Sequence, residues 1–156
     1  MLRAVLDANV LVSAPIRPQG PPGQIVIRLL EDRAFALVTS LAILAEVRRA
    51  LAYPRVRKHL VASDEELDLW VAALGLIGEP VEGRLRIRAV AEDPEDDKYI
   101  VAALEGLAQF IVTGDAHLLA LEAYEGVRLV TPRVFLTLLT RTTRTGRSTT
   151  RCGRSR

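Results

Sequence analysis

An α/β/α sandwich built on a central parallel sheet of four to five strands is predicted by two observations. Short apolar runs alternate with segments of helical periodicity, and two of those runs stop on an aspartate: Ala4-Val5-Leu6-Asp7 and Phe110-Ile111-Val112-Thr113-Gly114-Asp115. A strand buried on both faces reads as a continuous apolar run, and its carboxyl end lies where open parallel sheets bind ligands. Strands that alternate with helices imply right-handed crossovers and helices on both faces of the sheet.

Residues 2–6 form the first expected strand, and residues 15–23, with four prolines and two glycines, read as a loop. Helical spacing of apolar residues follows over 24–32, then a second short strand over 35–39. Ser40 precedes a helix over 41–51 that ends before Pro54, and its hydroxyl is placed to cap the free N–H groups. Residues 55–61 are expected to form a short helix. Ser63 and Glu66 have capping-box spacing and open an amphipathic helix through Trp70 to Leu76, with Trp70 expected in the core or a groove.

Gly75, Gly78, Pro80 and Gly83 interrupt the chain, and alternating Leu85, Ile87 and Ala89 predict a strand over 84–90. The densest acidic segment, Glu92-Asp93-Pro94-Glu95-Asp96-Asp97, leads into a helix over 98–104 that Gly106 ends. A strand over 109–113, a helix over 117–124, a strand over 127–130 and a helix from Thr131-Pro132 through Leu139 complete the order.

The 156 residues, 49% hydrophobic and 26% charged, suit one domain with a full core, expected over 1–139. No apolar stretch approaches the roughly 20 residues that span a bilayer, and Asp7 interrupts the first apolar run as no signal peptide would. A cytoplasmic location is therefore expected. The single Cys152 excludes an internal disulfide. The net charge of +2 conceals a division: six of the 21 basic residues, and no acid, lie in 140–156, leaving 15 bases against 19 acids before them. This Thr/Ser/Arg-rich tail has no large apolar residue to bury and is expected to be disordered, either touching phosphates through its charge or being a tolerated extension without a role.

On this frame Asp7 and Asp115 end their strands at the carboxyl edge, Asp97 begins the helix after the Asp-Pro loop, and Glu46 lies on the helix after the second strand. Clustered carboxylates repel and take up protons unless a cation neutralises them. Oxygen donors without paired His or Cys favour Mg2+ or Mn2+ over Zn2+. Such an ion can hold a phosphate oxygen and acidify a bound water, as phosphodiester hydrolysis needs. Each acid also has a plainer reading, since Asp93, Asp96 and Asp97 are suited to cap a helix and Glu46 to pair with Arg49. Yet Glu46 sits among Leu44, Ala45 and Val47, and Asp7 is flanked by apolar residues, costly settings for a lone charge.

These residues carry a resemblance. Leu6-Asp7-Ala8-Asn9-Val10-Leu11-Val12-Ser13, Ser40 through Glu46-Val47, Asp93-Pro94-Glu95-Asp96-Asp97-Lys98 with Ala102-Ala103-Leu104, Ile111-Val112-Thr113-Gly114-Asp115 with Leu118-Leu119, and Val130-Thr131-Pro132-Arg133-Val134-Phe135-Leu136 occur in order. The chain resembles the PIN-domain (PilT N-terminus-like) family, in particular the VapC-like ribonucleases that are toxin components of toxin–antitoxin pairs. The resemblance implies a metal-dependent endoribonuclease on a Rossmann-like sheet, with Asp7, Glu46, Asp97 and Asp115 as catalytic acids and metal ligands. It prefers Asp97 to Asp93 and Asp96 because Asp97 directly precedes Lys98-Tyr99-Ile100. It assigns Asn9, Thr113 and Ser40 to supporting hydrogen bonds around the ligands. His117 stands where many relatives carry a further acid, and suits either a metal or phosphate contact or a solvent-facing helix start.

The mechanism so implied holds Mg2+ or Mn2+ on Asp7, Asp97 and Asp115 while Glu46 orients or deprotonates the attacking water, leaving a 5′-phosphate on RNA. Arg17, Arg48, Arg49 and the arginine tail are the candidates to offset repulsion of the RNA backbone. A cognate antitoxin and a homodimer are the partners the resemblance implies, with no membrane. The competing readings are a non-catalytic PIN module that binds RNA or protein and a housekeeping RNA-processing nuclease. A haloacid-dehalogenase-type phosphatase would need an acid where Asn9 stands, and a receiver domain has no use for Glu46.

Overall fold

The computed structural model describes residues 1–90 and 93–146. The first strand, β1 (Arg3–Leu6), is buried along all but its first residue and feeds α1 (Ala8–Ile16) through Asp7. The sequence pattern did not predict α1, because Ala8, Val10, Leu11, Val12 and Ala14 are all buried. A helix buried on most sides has no polar face to reveal its period. The proline-rich segment expected as a loop instead supplies the last turn of α1 with Pro15 and the start of α2 (Pro21–Asp32), where Pro21 and Pro22 occupy first-turn positions that need no N–H.

Then follow β2 (Ala36–Ser40) and α3 (Leu41–Ala52), capped by Ser40 as its Oγ accepts the Ile43 N–H at 3.3 Å. Short α4 (Pro54–Arg57) precedes α5 (Asp64–Ile77), whose Ser63 Oγ accepts the Glu66 N–H at 3.2 Å. Trp70 is partly buried against the core. Next comes β3 (Glu79–Val81). Residues 84–90, expected as a strand, are not one: the N–H groups of Gly83 and Leu85 go to the Glu105 carboxylate, and those of Ala89 and Val90 to Asp97. Donors committed to side chains cannot build a ladder.

A 3-10 turn (Pro94–Asp96) opens α6 (Asp97–Glu105), then come β4 (Phe110–Val112), α7 (Ala116–Leu119), β5 (Ala123–Tyr124), β6 (Val127–Val130) and α8 (Pro132–Gly146). The expected helix over 117–124 is thus cut to one turn. Glu125 and Gly126, both at positive φ, fold β5 back on β6 as a tight hairpin. The last helix passes its expected end at Leu139, so residues 140–146 are helical rather than disordered. Arg28 Nη2 on α2 donates to Thr143 Oγ1 at 2.8 Å, and the hydroxyls of Thr140, Thr142 and Thr143 bond carbonyls one turn back. Residues 147–156, with Cys152, lie outside the described residues.

Among the described residues the sheet has the expected number of parallel strands, five of them, with an antiparallel sixth, β5, added at one edge; the order is β3-β2-β1-β4-β6-β5. Helices flank it. Strand order runs outward in both directions from the β1–β4 pair, which makes the gap between these strands the topological switch point. Phe35, Phe110 and Phe135 pack under the sheet, Phe35 edge-on to Phe135 at 5.1 Å between ring centres. At the end of α6, Gly106 lies so close to β2 that a Cβ would meet Val38 Cγ1 at 2.2 Å. Among the described residues no helix is long and apolar enough to cross a membrane.

Candidate active site

The switch point delivers two of the acids side by side. Leu6 of β1 and Val112 of β4 are register partners, so Asp7 and Thr113 leave the sheet together. Thr113 Oγ1 donates to Asp7 Oδ2 at 2.6 Å and accepts the Asp115 N–H at 3.0 Å. Asp7 Oδ1 accepts the Asn9 N–H at 3.1 Å, and Asp115 Oδ1 accepts those of His117 and Leu118 at 2.7 and 3.3 Å. Each aspartate therefore caps the helix that follows its strand. Of the three supporting residues expected, Thr113 joins the two acids, Asn9 contributes its backbone while its side chain is exposed, and Ser40 caps α3. His117 is exposed.

Glu46 reaches the same edge from α3. Its Oε2 accepts the Tyr99 hydroxyl at 2.7 Å and pairs with Lys98 Nζ, while Tyr99 Oη accepts the Ala8 N–H at 3.3 Å. This chain of bonds ties α1, α3 and α6 together around Asp7. Glu46 is thus partnered by Lys98 and Tyr99, neither of which the sequence had marked. Arg48, expected at an RNA-facing rim, is instead paired with Asp68 on α5 and lies 4.0 Å from Asp64.

The structure separates Asp96 from Asp97. Asp97, expected as the third acid, is 8% exposed, and its Oδ1 accepts the N–H groups of Ala89 and Val90 at 3.0 and 2.7 Å. That oxygen anchors the segment preceding the helix. Asp96 Oδ2 is buried with no hydrogen-bond partner. Asp93 Oδ1 accepts the Glu95 N–H at 3.1 Å and caps the turn. A signal for Asp96 was present: three residues before Tyr99, it falls on the helix face that carries the tyrosine.

The electrostatics agree with the geometry. Burial raises the Asp7 carboxyl above its ordinary value; Thr113, the Asn9 N–H and Tyr99 pull it back, and Glu46 adds to the rise. Asp96 is pushed up to about 6, first by burial and then by Asp93, Asp115 and Asp7, with Lys98 opposing. Burial, the Asp7 charge and the bond to Glu46 raise the Tyr99 hydroxyl, which keeps its proton and acts as a donor. Carboxylates that hold protons this firmly are short of positive charge.

Among the described residues no three His, Cys, Asp or Glu side chains form a ready-made metal-holding group. The donors still fit a hard divalent ion. Asp7, Glu46, Asp96 and Asp115 offer only carboxylate oxygens, Glu46 raises the proton affinity of Asp7 while Asp115 and Asp7 raise that of Asp96, and one buried Asp96 oxygen has no donor.

Comparison with known proteins points the same way. Residues 3–117 match the PIN domain family. An uncharacterized protein of Methanocaldococcus jannaschii is 32% identical over 120 residues, spanning 77% of this chain and 75% of the archaeal one.

Proposed function

The chain belongs to the PIN domain family, whose members are generally nucleases that bind divalent metals and act on RNA, and we propose that it is a Mg2+- or Mn2+-dependent endoribonuclease. The observation that carries the proposal is the partnerless, buried Asp96 Oδ2 beside acids whose charge raises its proton affinity. Asp7, Asp96 and Asp115 would hold the ion, with Glu46 next to them. Asp96 replaces Asp97 in this role because its Oδ2 is the buried carboxylate oxygen without a donor and because the Asp7 and Asp115 charges act on it, whereas Asp97 Oδ1 fastens the backbone of Ala89 and Val90.

When bound, the ion supplies Lewis acidity at a phosphate oxygen and a more acidic water. The protein does the rest with its own groups. Thr113 fixes the Asp7 carboxylate through its hydroxyl, leaving the acid one defined orientation. Glu46 is the base that takes a proton from the attacking water, and the Tyr99 hydroxyl holds it in place. The Lys98 ammonium, paired with Glu46, supplies positive charge beside a phosphate as negative charge builds on it.

Purified protein with Mn2+ is expected to cleave single-stranded RNA, and Asp7→Asn to abolish cleavage without loss of fold. Equal cleavage by the variant would locate the activity elsewhere. We extend the reading to the toxin of a toxin–antitoxin pair, since a partner that covers four carboxylates would silence them. Induced expression should then arrest growth of a bacterial host and Asp7→Asn should not. Unimpaired growth would favour the housekeeping nuclease.

A further inference from the structure

Beside the acidic cluster, on the other side of the start of α6, runs a groove of about 1130 Å3. Its floor and walls include Leu41 at the start of α3, Val81 of β3, and Leu85, Arg86, Arg88 and Lys98. It is larger than the roughly 300–1,000 Å3 that encloses a drug-sized ligand, and its open shape suits a length of polymer. Groove and cluster share a border: Lys98 lines the groove while its ammonium pairs with Glu46.

The outer wall is a strap fastened at both ends to α6. Glu105, at the end of the helix, accepts the N–H groups of Gly83 and Leu85 at 3.1 and 3.2 Å; Asp97, at its start, accepts those of Ala89 and Val90. Between the fastenings the strap alternates, with Arg86 and Arg88 exposed and Ile87 and Ala89 turned inward. Arg84 pairs with Glu82, whereas Arg86 and Arg88 have no ion pair among the described residues. Two uncommitted guanidinium groups over an apolar floor are thus held beside four carboxylates that repel a nucleic-acid backbone. A substrate polyanion needs compensating charge at this place.

We infer that the groove receives the single-stranded RNA that leads to the scissile bond, with Arg86 and Arg88 on backbone phosphates and Leu41, Val81 and Leu85 against a base. The inference rests on the nuclease reading for its substrate class. The strap, fastened by Asp97 and Glu105, gives these arginines a defined position instead of leaving them on a loose loop.

The test is binding of a fluorescein-labelled uridine decamer to the full chain carrying Asp7→Asn, in Mg2+, followed by anisotropy over a salt series. Arg86→Gln with Arg88→Gln is expected to weaken binding about tenfold and to reduce the salt slope by about 1.4, or about 0.7 for each single-strand phosphate that is no longer neutralised. Arg86→Gln alone should weaken binding more than Arg33→Gln, which removes the same charge before β2 at the opposite edge of the sheet. Arg86→Lys with Arg88→Lys should keep most of the salt slope. Unchanged affinity in the double glutamine variant, or equal loss in Arg33→Gln, would overturn the inference. So would displacement of the RNA by an equal concentration of deca-glutamate, which would assign the strap to an acidic protein segment. Cleavage by the chain with Asp7 intact is scored separately. Strap-dependent binding without cleavage upholds the groove and removes the nuclease reading, whereas cleavage with full affinity in the double variant removes the groove.

Discussion

Asp96 and Asp97 are neighbours in sequence and belong to two differently built regions. Asp97 faces the strap, where two backbone N–H groups satisfy its Oδ1. Asp96 faces the switch point of the sheet, where its Oδ2 has no donor, and burial, then the charges of Asp93, Asp115 and Asp7, push its carboxyl up to about 6. A satisfied carboxylate holds the backbone in place; an unsatisfied one among like charges stores repulsion that only a proton or a cation relieves. On the proposed reading, Asp97 serves to hold the strap, and the switch-point side carries the chemistry.

Substitution separates the two most sharply. Asp96→Asn should lower Mn2+-dependent RNA cleavage by a factor of about a hundred or more, the scale of losing a group that acts in the transition state, while leaving the melting temperature unchanged or raised. Asp97→Asn should do the reverse. It weakens two charge-assisted hydrogen bonds in a buried setting, a stability loss of about 1–3 kcal/mol by denaturant titration, and leaves cleavage within about tenfold of the native rate. Identical profiles for the two variants would dissolve the distinction.

Tyr99→Phe is expected to have a smaller effect, confined to the switch-point side. It removes the donor to Glu46 and leaves the Ala8 N–H without an acceptor, costing about 1–2 kcal/mol. Cleavage should fall about tenfold, in kcat more than in KM, because Glu46 loses its orientation rather than its charge. A pure KM effect would place Tyr99 in substrate binding instead.

The weakest contrast is with pH. The folded Asp96 carboxyl binds its proton more tightly than its ordinary value of 3.8 allows. Its contribution to stability is complete below that value and is lost as pH rises through about 6. Without divalent metal, stability should thus fall modestly between these limits, and Asp96→Asn should flatten the fall. Saturating Mn2+ should reverse the slope, since it binds the ionised form. Asp97→Asn should leave the slope intact.

Much of this architecture was legible. The apolar runs behind Asp7 and Asp115 marked the two strands at the switch point, and the Ser40 and Ser63 caps marked helix starts that the structure retains. The failures have physical causes. The α1 helix is buried on most sides and shows no amphipathic period, and residues 84–90 alternate as a strand does while their donors go to Asp97 and Glu105. The β5–β6 hairpin turns on Glu125-Gly126 rather than on a typical Asn-Gly pair. Asp7, Glu46 and Asp115 could be singled out because strand ends and apolar neighbours isolate them. The choice among three aspartates within five residues depended on where the 3-10 turn passes into α6, a rotation the sequence does not display.

Mn2+-induced thermal stabilisation of three proteins tests the central claim most directly: the native chain, Asp96→Asn and Asp97→Asn. The account predicts that Mn2+ raises the melting temperature of the native chain and of Asp97→Asn, and leaves Asp96→Asn unmoved. Stabilisation that survives in Asp96→Asn and vanishes in Asp97→Asn would contradict it.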